Sequence, residues 1–373
     1  MSLISKIKDY NYAAIFTNTK YRYGFKNLIS LGNEALEDFP NLSPDELTAG
    51  FINYEYKNQV EKSKSANPAS ISFPDWFFFK PIEYQEFDYL NETSDVKSSF
   101  PAISFQCNFT KEEYIQSIEK IKEHIVNGDI YEMNFCIEFT AKQKIDPVAL
   151  YLKSIKEDPK PFSSFFKYKS KYMIGASPER YILNEDGRLH SHPIKGTAPR
   201  GKTPEEDNRL KKELYHSEKE RAENLMIVDL VRNDLSKIGI KGSTRVDELF
   251  GLYTFPTVHQ MISSISCKSD CSFKQIIDGT FPMGSMTGAP KVMSTNLIEQ
   301  YERSARGLYS GTVGYLLPSG DFDFNVVIRS LIYDADTCQL SLHVGGAITY
   351  SSNPEQEYEE CLLKAQSFFD MLQ

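Results

Sequence analysis

Arg188-Leu189-His190-Ser191-His192-Pro193-Ile194-Lys195-Gly196-Thr197 is the stretch on which the reading turns. Arg188 to His192 reads as a strand that leads into Pro193. Upstream, Lys169 to Ile182 reads as another strand, with Ser177-Pro178-Glu179-Arg180 inside it or at its end. Glu179 and Lys195 are therefore predicted to project from neighbouring strands. The residue types are chemically pointed. Glycine lets a backbone approach a ligand and turn its N–H toward an anion. Threonine adds a hydroxyl. Lysine supplies a cation or, when deprotonated, a nucleophilic amine. A glutamate in the same pocket can act as general acid or base. Taken alone, Lys-Gly-Thr is far more often a solvated loop than a site, so its meaning depends on the flanking segments.

Outward from that stretch, Thr110-Lys111-Glu112-Glu113 is a capping box. Tyr114, Ile118, Ile121 and Ile125 follow at the spacing of an amphipathic helix that ends near Asn127-Gly128. Thr203 to Leu214 reads as a polar helix. Ser217-Glu218-Lys219-Glu220 reads as a second capping box, opening a helix to about Arg232. The region around His259 reads as a strand, and 273–280 as a short helix. Gly284 to Lys291 is a glycine-rich turn that puts Pro290 at the first helical position. Its free N–H groups suit an anion, but the spacing is not that of a phosphate loop. Strands are predicted at Gly311–Leu317, Phe322–Tyr333 and Gln339–Val344. Arg329 lies in the second of these, and Gly345-Gly346-Ala347 follows the third as a close-approach backbone. Asn353-Pro354 caps the last helix. Before Thr110, Asn11–Phe16 and Ala49–Tyr54 read as strands, Asn58–Ser70 as a loop and Trp76–Phe87 as an edge strand; no catalytic spacing occurs there.

Bulk properties exclude several classes. The 373 residues are 40% hydrophobic and 25% charged, with a net charge of −9, an ordinary soluble composition. That balance argues against nucleic acid as a partner. The start has no apolar signal core, and the aromatic run Trp76-Phe77-Phe78-Phe79 is too short to cross a bilayer, so no membrane association is expected. Six scattered cysteines fit reduced thiols in a cytoplasmic protein better than a zinc site; Cys267 and Cys271 have no second pair beside them.

Glu220 and Glu223 share one helix face, and so do Glu357, Glu360 and Lys364. Either glutamate pair alone is an ordinary solvated face. Two pairs facing each other would build an all-oxygen site, which suits Mg2+ with its retained waters and substrate oxygens.

In series, these segments resemble the chorismate-utilising enzymes over about residues 109 to 371. The motifs are Gly128-Asp129-Ile130-Tyr131, Ser177-Pro178-Glu179-Arg180, Pro193-Ile194-Lys195-Gly196-Thr197, Glu220-Arg221-Ala222-Glu223-Asn224 running into Val228-Asp229-Leu230-Val231-Arg232-Asn233-Asp234-Leu235, Thr287-Gly288-Ala289-Pro290-Lys291, Gly311-Thr312-Val313-Gly314-Tyr315, Ile328-Arg329, Gly345-Gly346-Ala347, and Glu357 through Lys364. The resemblance implies an α/β (α+β) sandwich of two large antiparallel sheets with helices outside. Residues 1–108 would be a scaffold part of that sandwich and 109–373 the chorismate-binding catalytic domain.

Lysine at 195, where anthranilate-forming members carry alanine, implies amination of chorismate at ring carbon 4. The product would be 4-amino-4-deoxychorismate, on the way to para-aminobenzoate and folate. By the same resemblance Lys195 is the covalent nucleophile and Glu179 the general acid/base. Glu223 and Glu360 match magnesium ligands, with Glu220 and Glu357 their companions. Gly196, Thr197, His259, Lys291, Tyr315, Arg329, Gly345, Gly346 and Ala347 match substrate-contacting positions. Ammonia is expected from a separate glutamine amidotransferase subunit, and a separate aminodeoxychorismate lyase is expected downstream. Two departures stand out: Glu132 replaces the lysine of the water-adding members, and Ala347 replaces a glycine. The alternatives are the anthranilate synthase reaction and a non-catalytic chorismate-binding regulator; the second is disfavoured by the presence of Glu179, Lys195 and both glutamate pairs.

Overall fold

Strand Tyr12–Thr17 shows how the sandwich is built. Tyr12, Ala14 and Phe16 face one side, Ala13 and Ile15 the other, and every one is buried. Strand side chains alternate between faces, so a strand covered on both sides reads as one apolar run. The first set meets aromatics of an opposing sheet: the Tyr12 and Phe77 rings lie 4.5 Å apart. Phe51 meets Phe166 edge-on at 5.3 Å in the same layer. The second set packs beneath helices Lys111–Val126, Pro147–Glu157 and Pro354–Met371. The computed structural model describes residues 3–18, 21, 23–61, 64–88, 103–255 and 258–372.

The first sheet runs, edge to edge, Gly288–Ala289, Glu132–Lys142, Gln339–Ile348, Ser330–Asp334, Lys171–Ser177, Phe162–Tyr168, Tyr12–Thr17, Leu28–Gly32 and Glu83–Glu86, with Gln106–Cys107 also on the second strand. The other runs Ile194–Pro199, Val258–Lys268, Arg188–His192, Arg180–Glu185, Phe322–Asn325, Thr312–Leu316, Thr48–Ile52, Trp76–Lys80 and Glu34–Ala35, with Arg245–Thr254 also on Val258–Lys268. Helices Glu218–Ile238 and Phe273–Thr280 cover its outer face. Neighbouring strands are antiparallel throughout, and the N-terminal strands are built into both sheets: Tyr12–Thr17 pairs with Phe162–Tyr168, and Thr48–Ile52 with Thr312–Leu316.

Three expected single strands are each divided between the two sheets. Lys169–Ile182 becomes Lys171–Ser177 in the first sheet and Arg180–Glu185 in the second, and the chain crosses at Pro178-Glu179. Proline has no N–H for a ladder, so the pairing stops there. Pro81 divides Trp76–Phe87 in the same way. Phe322–Tyr333 breaks after Asn325 and resumes at Ser330, with Arg329 at φ +49° in the crossing. The first and last of these crossings are laced together. The Val326 N–H donates to the Glu179 carbonyl at 3.0 Å, and the Ser177 hydroxyl donates to the Val326 carbonyl at 2.6 Å. Arg180 anchors the next strand by a two-pronged, buried pairing with Asp323 at 2.9 and 2.8 Å.

The helix at Thr110 opens as expected, with both arms of its capping box formed. At Ser217 only one arm forms: its hydroxyl accepts from the Glu220 N–H at 3.3 Å, leaving the Glu220 carboxylate free to face inward. That helix continues past Arg232 to Ile238. Pro290 takes the N-cap place and Lys291 the first helical one, because Gly288-Ala289 is held in strand pairing with Met133 and Glu132.

Candidate active site

A cavity of about 490 Å³ is lined from both sheets, the crossings that hold Glu179 and Arg329, helices Glu218–Ile238 and Pro354–Met371, and the short helix Gly284–Thr287. Strand Ile194–Pro199 brings Lys195, Gly196 and Thr197. Its pairing with Val258–Lys268 shifts register between Ile194 and Thr197, and Gly196 sits in that shift at φ +90°. A side chain there would also meet the Glu220 carboxylate, since a Cβ would lie 3.1 Å from its Oε2. The buried Asn224 amide donates to the Lys195 and Met261 carbonyls, each at 3.4 Å, and its oxygen accepts from the Ser263 hydroxyl at 2.6 Å. The backbone that carries Lys195 is thus held from helix Glu218–Ile238.

Glu179 and Arg329 enter from the two crossings, and neither would face this gap from a continuous strand. Burial pushes the Glu179 carboxyl up to about 7, although a hydrogen bond from Ser285 and the charges of Lys195 and Arg329 oppose the shift. A carboxyl in that range exchanges a proton near neutrality, as a general acid/base must. Arg329 is half-buried, and its carbonyl accepts from the Ala176 N–H at 2.9 Å.

The opposite wall is Val344–Ala347 of strand Gln339–Ile348, which runs on through the glycines past its expected end at Val344. A Cβ at Gly345 would lie 2.4 Å from the Phe135 carbonyl, and one at Gly346 would lie 3.2 Å from Glu357 Oε2. Helix Pro354–Met371 is tied to this strand by Lys364, which donates to the Gly345 carbonyl at 2.7 Å and pairs with Glu360 at 2.8 Å.

Glu220 and Glu223 on one helix and Glu357 and Glu360 on the other line the same cavity. Burial raises the Glu223 carboxyl; Lys195 opposes the shift, while Glu220 and Glu132 add to it. Burial also raises Glu357, countered by a Ser352 hydrogen bond and reinforced by Glu360. Burial acts upward on Glu360 too, but the Lys364 ammonium outweighs it and holds the carboxyl below its ordinary value. Among the described residues no three His, Cys, Asp or Glu side chains stand close enough to cage a metal. An open set of carboxylate oxygens still fits Mg2+, which keeps several waters and takes few protein ligands.

Three expected substrate contacts do not line this cavity. His259 alternates with Gln260, which does, so its ring faces away; its nitrogens lie 3.0 Å from Thr254 Oγ1 and 3.0 Å from Asp207 Oδ1. Lys291 is engaged by Asp234 at 2.6 Å and the Thr280 carbonyl at 3.3 Å. Tyr315 lies in the core between the sheets, its ring 5.2 Å from that of Phe16, and its oxygen accepts from the Lys26 N–H at 2.9 Å.

The sequence reading overlooked Glu302 and Arg306. They form a fully buried pair, with Arg306 Nε to Glu302 Oε2 at 2.9 Å and a second bond to Oε1 at 2.6 Å. Arg306 also donates to the carbonyls of Asn134 at 2.9 Å and Met286 at 2.6 Å, both cavity-lining residues. In sequence the two charges, four positions apart, look like an ordinary surface pair.

With this geometry in hand, comparison with known proteins is direct. The family described as chorismate binding enzyme matches residues 25–370, and the chain belongs to it. Over 373 aligned residues, 90% of this chain and 78% of the relative, it is 32% identical to aminodeoxychorismate synthase component 1 of Bacillus subtilis. It is 33% identical to anthranilate synthase component 1 of Saccharolobus solfataricus, across 87% of this chain and 80% of that one. Identity to the chloroplastic aminodeoxychorismate synthase of Arabidopsis thaliana is 41% over 280 residues and 73% of this chain, which spans only 30% of that relative's length. The solved anthranilate synthase component I from Streptococcus pneumoniae TIGR4 has the same fold, with a TM-score of 0.78 at 23% identity over 96% of this chain and 92% of that one. No helix among the described residues is long and apolar enough to cross a membrane, and all six cysteines are free.

Proposed function

We propose that this chain is the synthase component that aminates chorismate to 4-amino-4-deoxychorismate. The observation that carries the proposal is that Lys195 and Glu179 line one cavity, with the Glu179 carboxyl raised by burial to about 7. The Lys195 amine, in its neutral form, forms a bond to ring carbon 2 while the bond from carbon 4 to its hydroxyl breaks. Glu179 protonates that hydroxyl, which leaves as water. Ammonia then bonds to carbon 4, and the electron pair of the carbon 2–nitrogen bond returns to Lys195. One hard substitution becomes two easier ones.

Glu223 and Glu360, with Glu220 and Glu357 beside them, would hold Mg2+. When bound, it would supply charge stabilisation and a template for the ring carboxylate. Arg329, Gly196, Thr197 and the Gly345–Ala347 strand would orient the substrate from the facing walls. A separate glutamine amidotransferase would deliver the ammonia, and a separate lyase would release para-aminobenzoate for folate synthesis. A cytoplasmic setting fits six free thiols.

The test is product analysis. The purified chain is incubated with chorismate, Mg2+ and ammonium chloride, with and without aminodeoxychorismate lyase, and products are separated with mass detection. Aminodeoxychorismate that becomes para-aminobenzoate only with lyase supports the proposal; anthranilate overturns it. Lys195→Ala should abolish product while chorismate binding persists, and wild-type turnover by that variant would remove the nucleophile.

A further inference from the structure

Glu132 is a buried acidic group that neither the ion pairs nor the proposed chemistry uses; it lies behind the cavity lining, close to Glu223, which does line the cavity. It begins strand Glu132–Lys142 and is 2% exposed. Its Oε2 is buried with no hydrogen-bond partner, and among the described residues its carboxylate makes no ion pair. Its backbone is fixed: Glu132 pairs with Ala289, and its carbonyl accepts from the Ser294 hydroxyl at 3.3 Å. By strand alternation it lies on the face of Asn134, which lines the cavity. It is also near enough to Glu223 for its charge to act on that carboxyl. A buried, unpaired carboxylate is strongly unfavourable in the protein interior unless a proton or another cation meets it. Of the three lysines that line the cavity, Lys364 is directed to Glu360 at 2.8 Å and Lys219 toward Glu223 at 3.9 Å, while Lys195 is the nucleophile of the proposed chemistry.

We propose that Glu132 is the binding group for the ammonium ion beside the cavity, and that its carboxylate takes up one ammonium proton as the nitrogen leaves as ammonia to bond carbon 4. This rests on the amination reading above. A bare ammonium fits better there than a divalent metal. Mg2+ keeps a shell of waters that needs room, which the open carboxylates on the two helices have and the buried Glu132 lacks. Ammonium donates hydrogen bonds from four N–H groups and can sit directly against a desolvated carboxylate.

The test is Glu132→Gln, with Glu132→Asp beside it in case the first fails to fold. Aminodeoxychorismate formation is measured against ammonium chloride at saturating chorismate, and separately against Mg2+. KM for ammonium should rise roughly tenfold or more, the loss of one charge-assisted hydrogen bond, with the chorismate KM and the Mg2+ midpoint unchanged. An unchanged ammonium KM overturns the assignment. So does a comparable shift of the Mg2+ midpoint, which would make Glu132 a metal ligand. The melting temperature in ammonium chloride against sodium chloride at equal ionic strength gives a readout without turnover. Wild type should be raised by ammonium and the variant should not. If wild type makes no product yet keeps that difference, the amination reading fails and the ammonium site stands.

Discussion

Glu179→Gln separates the chemistry of the site from its stability. The carboxyl is raised from 4.5 to about 7, chiefly by burial. At ~1.4 kcal/mol per unit, ionising it in the folded chain costs about 3 kcal/mol more than in the unfolded chain. The sign follows from proton binding. A raised carboxyl holds its proton more tightly when folded, so wild-type stability falls as pH rises from the unfolded value near 4.5, and the fall is complete above about 7. Glutamine does not titrate, and its carbonyl keeps an acceptor for Ser285. The variant should therefore gain on wild type by about 3 kcal/mol between pH 4.5 and pH 8, while product formation falls by roughly 10²–10⁴ for want of the acid. The assay is urea unfolding followed by fluorescence of the single tryptophan, Trp76, at several pH values. A gap that stays constant with pH, or a variant less stable at pH 8, would refute burial as the cause of the shift.

Other perturbations test the remaining walls. Arg306→Met leaves Glu302 buried and unpaired and should cost about 3–5 kcal/mol in chemical unfolding; a loss below ~1 kcal/mol, the worth of one ordinary hydrogen bond, would contradict its clamping role. Gly196→Ala forces a side chain into φ +90° against Glu220, and should lose ~1–3 kcal/mol together with most turnover. A fully active, equally stable alanine variant would show that the strand can relax there. Glu223→Gln should move the Mg2+ midpoint for activity up by roughly tenfold, the worth of one charge-assisted contact; an unmoved titration would exclude it as a ligand.

Local signals were legible wherever neighbouring residues decide the conformation. The capping box at Thr110, the helix start at Ser217, the cap at Asn353 and the shared faces of Glu220 with Glu223 and Glu357 with Glu360 follow from helix geometry alone. Pro193-Ile194-Lys195-Gly196-Thr197 and its companion motifs pointed to the family that the comparison then established. The local sequence was silent where a distant partner decided. An apolar run such as Val326-Val327-Ile328 carries no mark of which sheet each end joins. Lys291, His259 and Tyr315 are turned from the cavity by Asp234, by strand alternation and by the core between the sheets.

The sequence by itself therefore determined the elements, their caps, the carboxylate spacing and the motif series, all of which depend on contacts within a few residues. Only the tertiary structure decided that the chain changes sheets at Pro178-Glu179 and again before Arg329. It alone set Glu179 in a place dry enough to hold a proton near neutrality, and left the Glu132 Oε2 buried without a hydrogen-bond partner. Desolvation belongs to the assembled surroundings of a group and cannot be assigned from its neighbours in the chain.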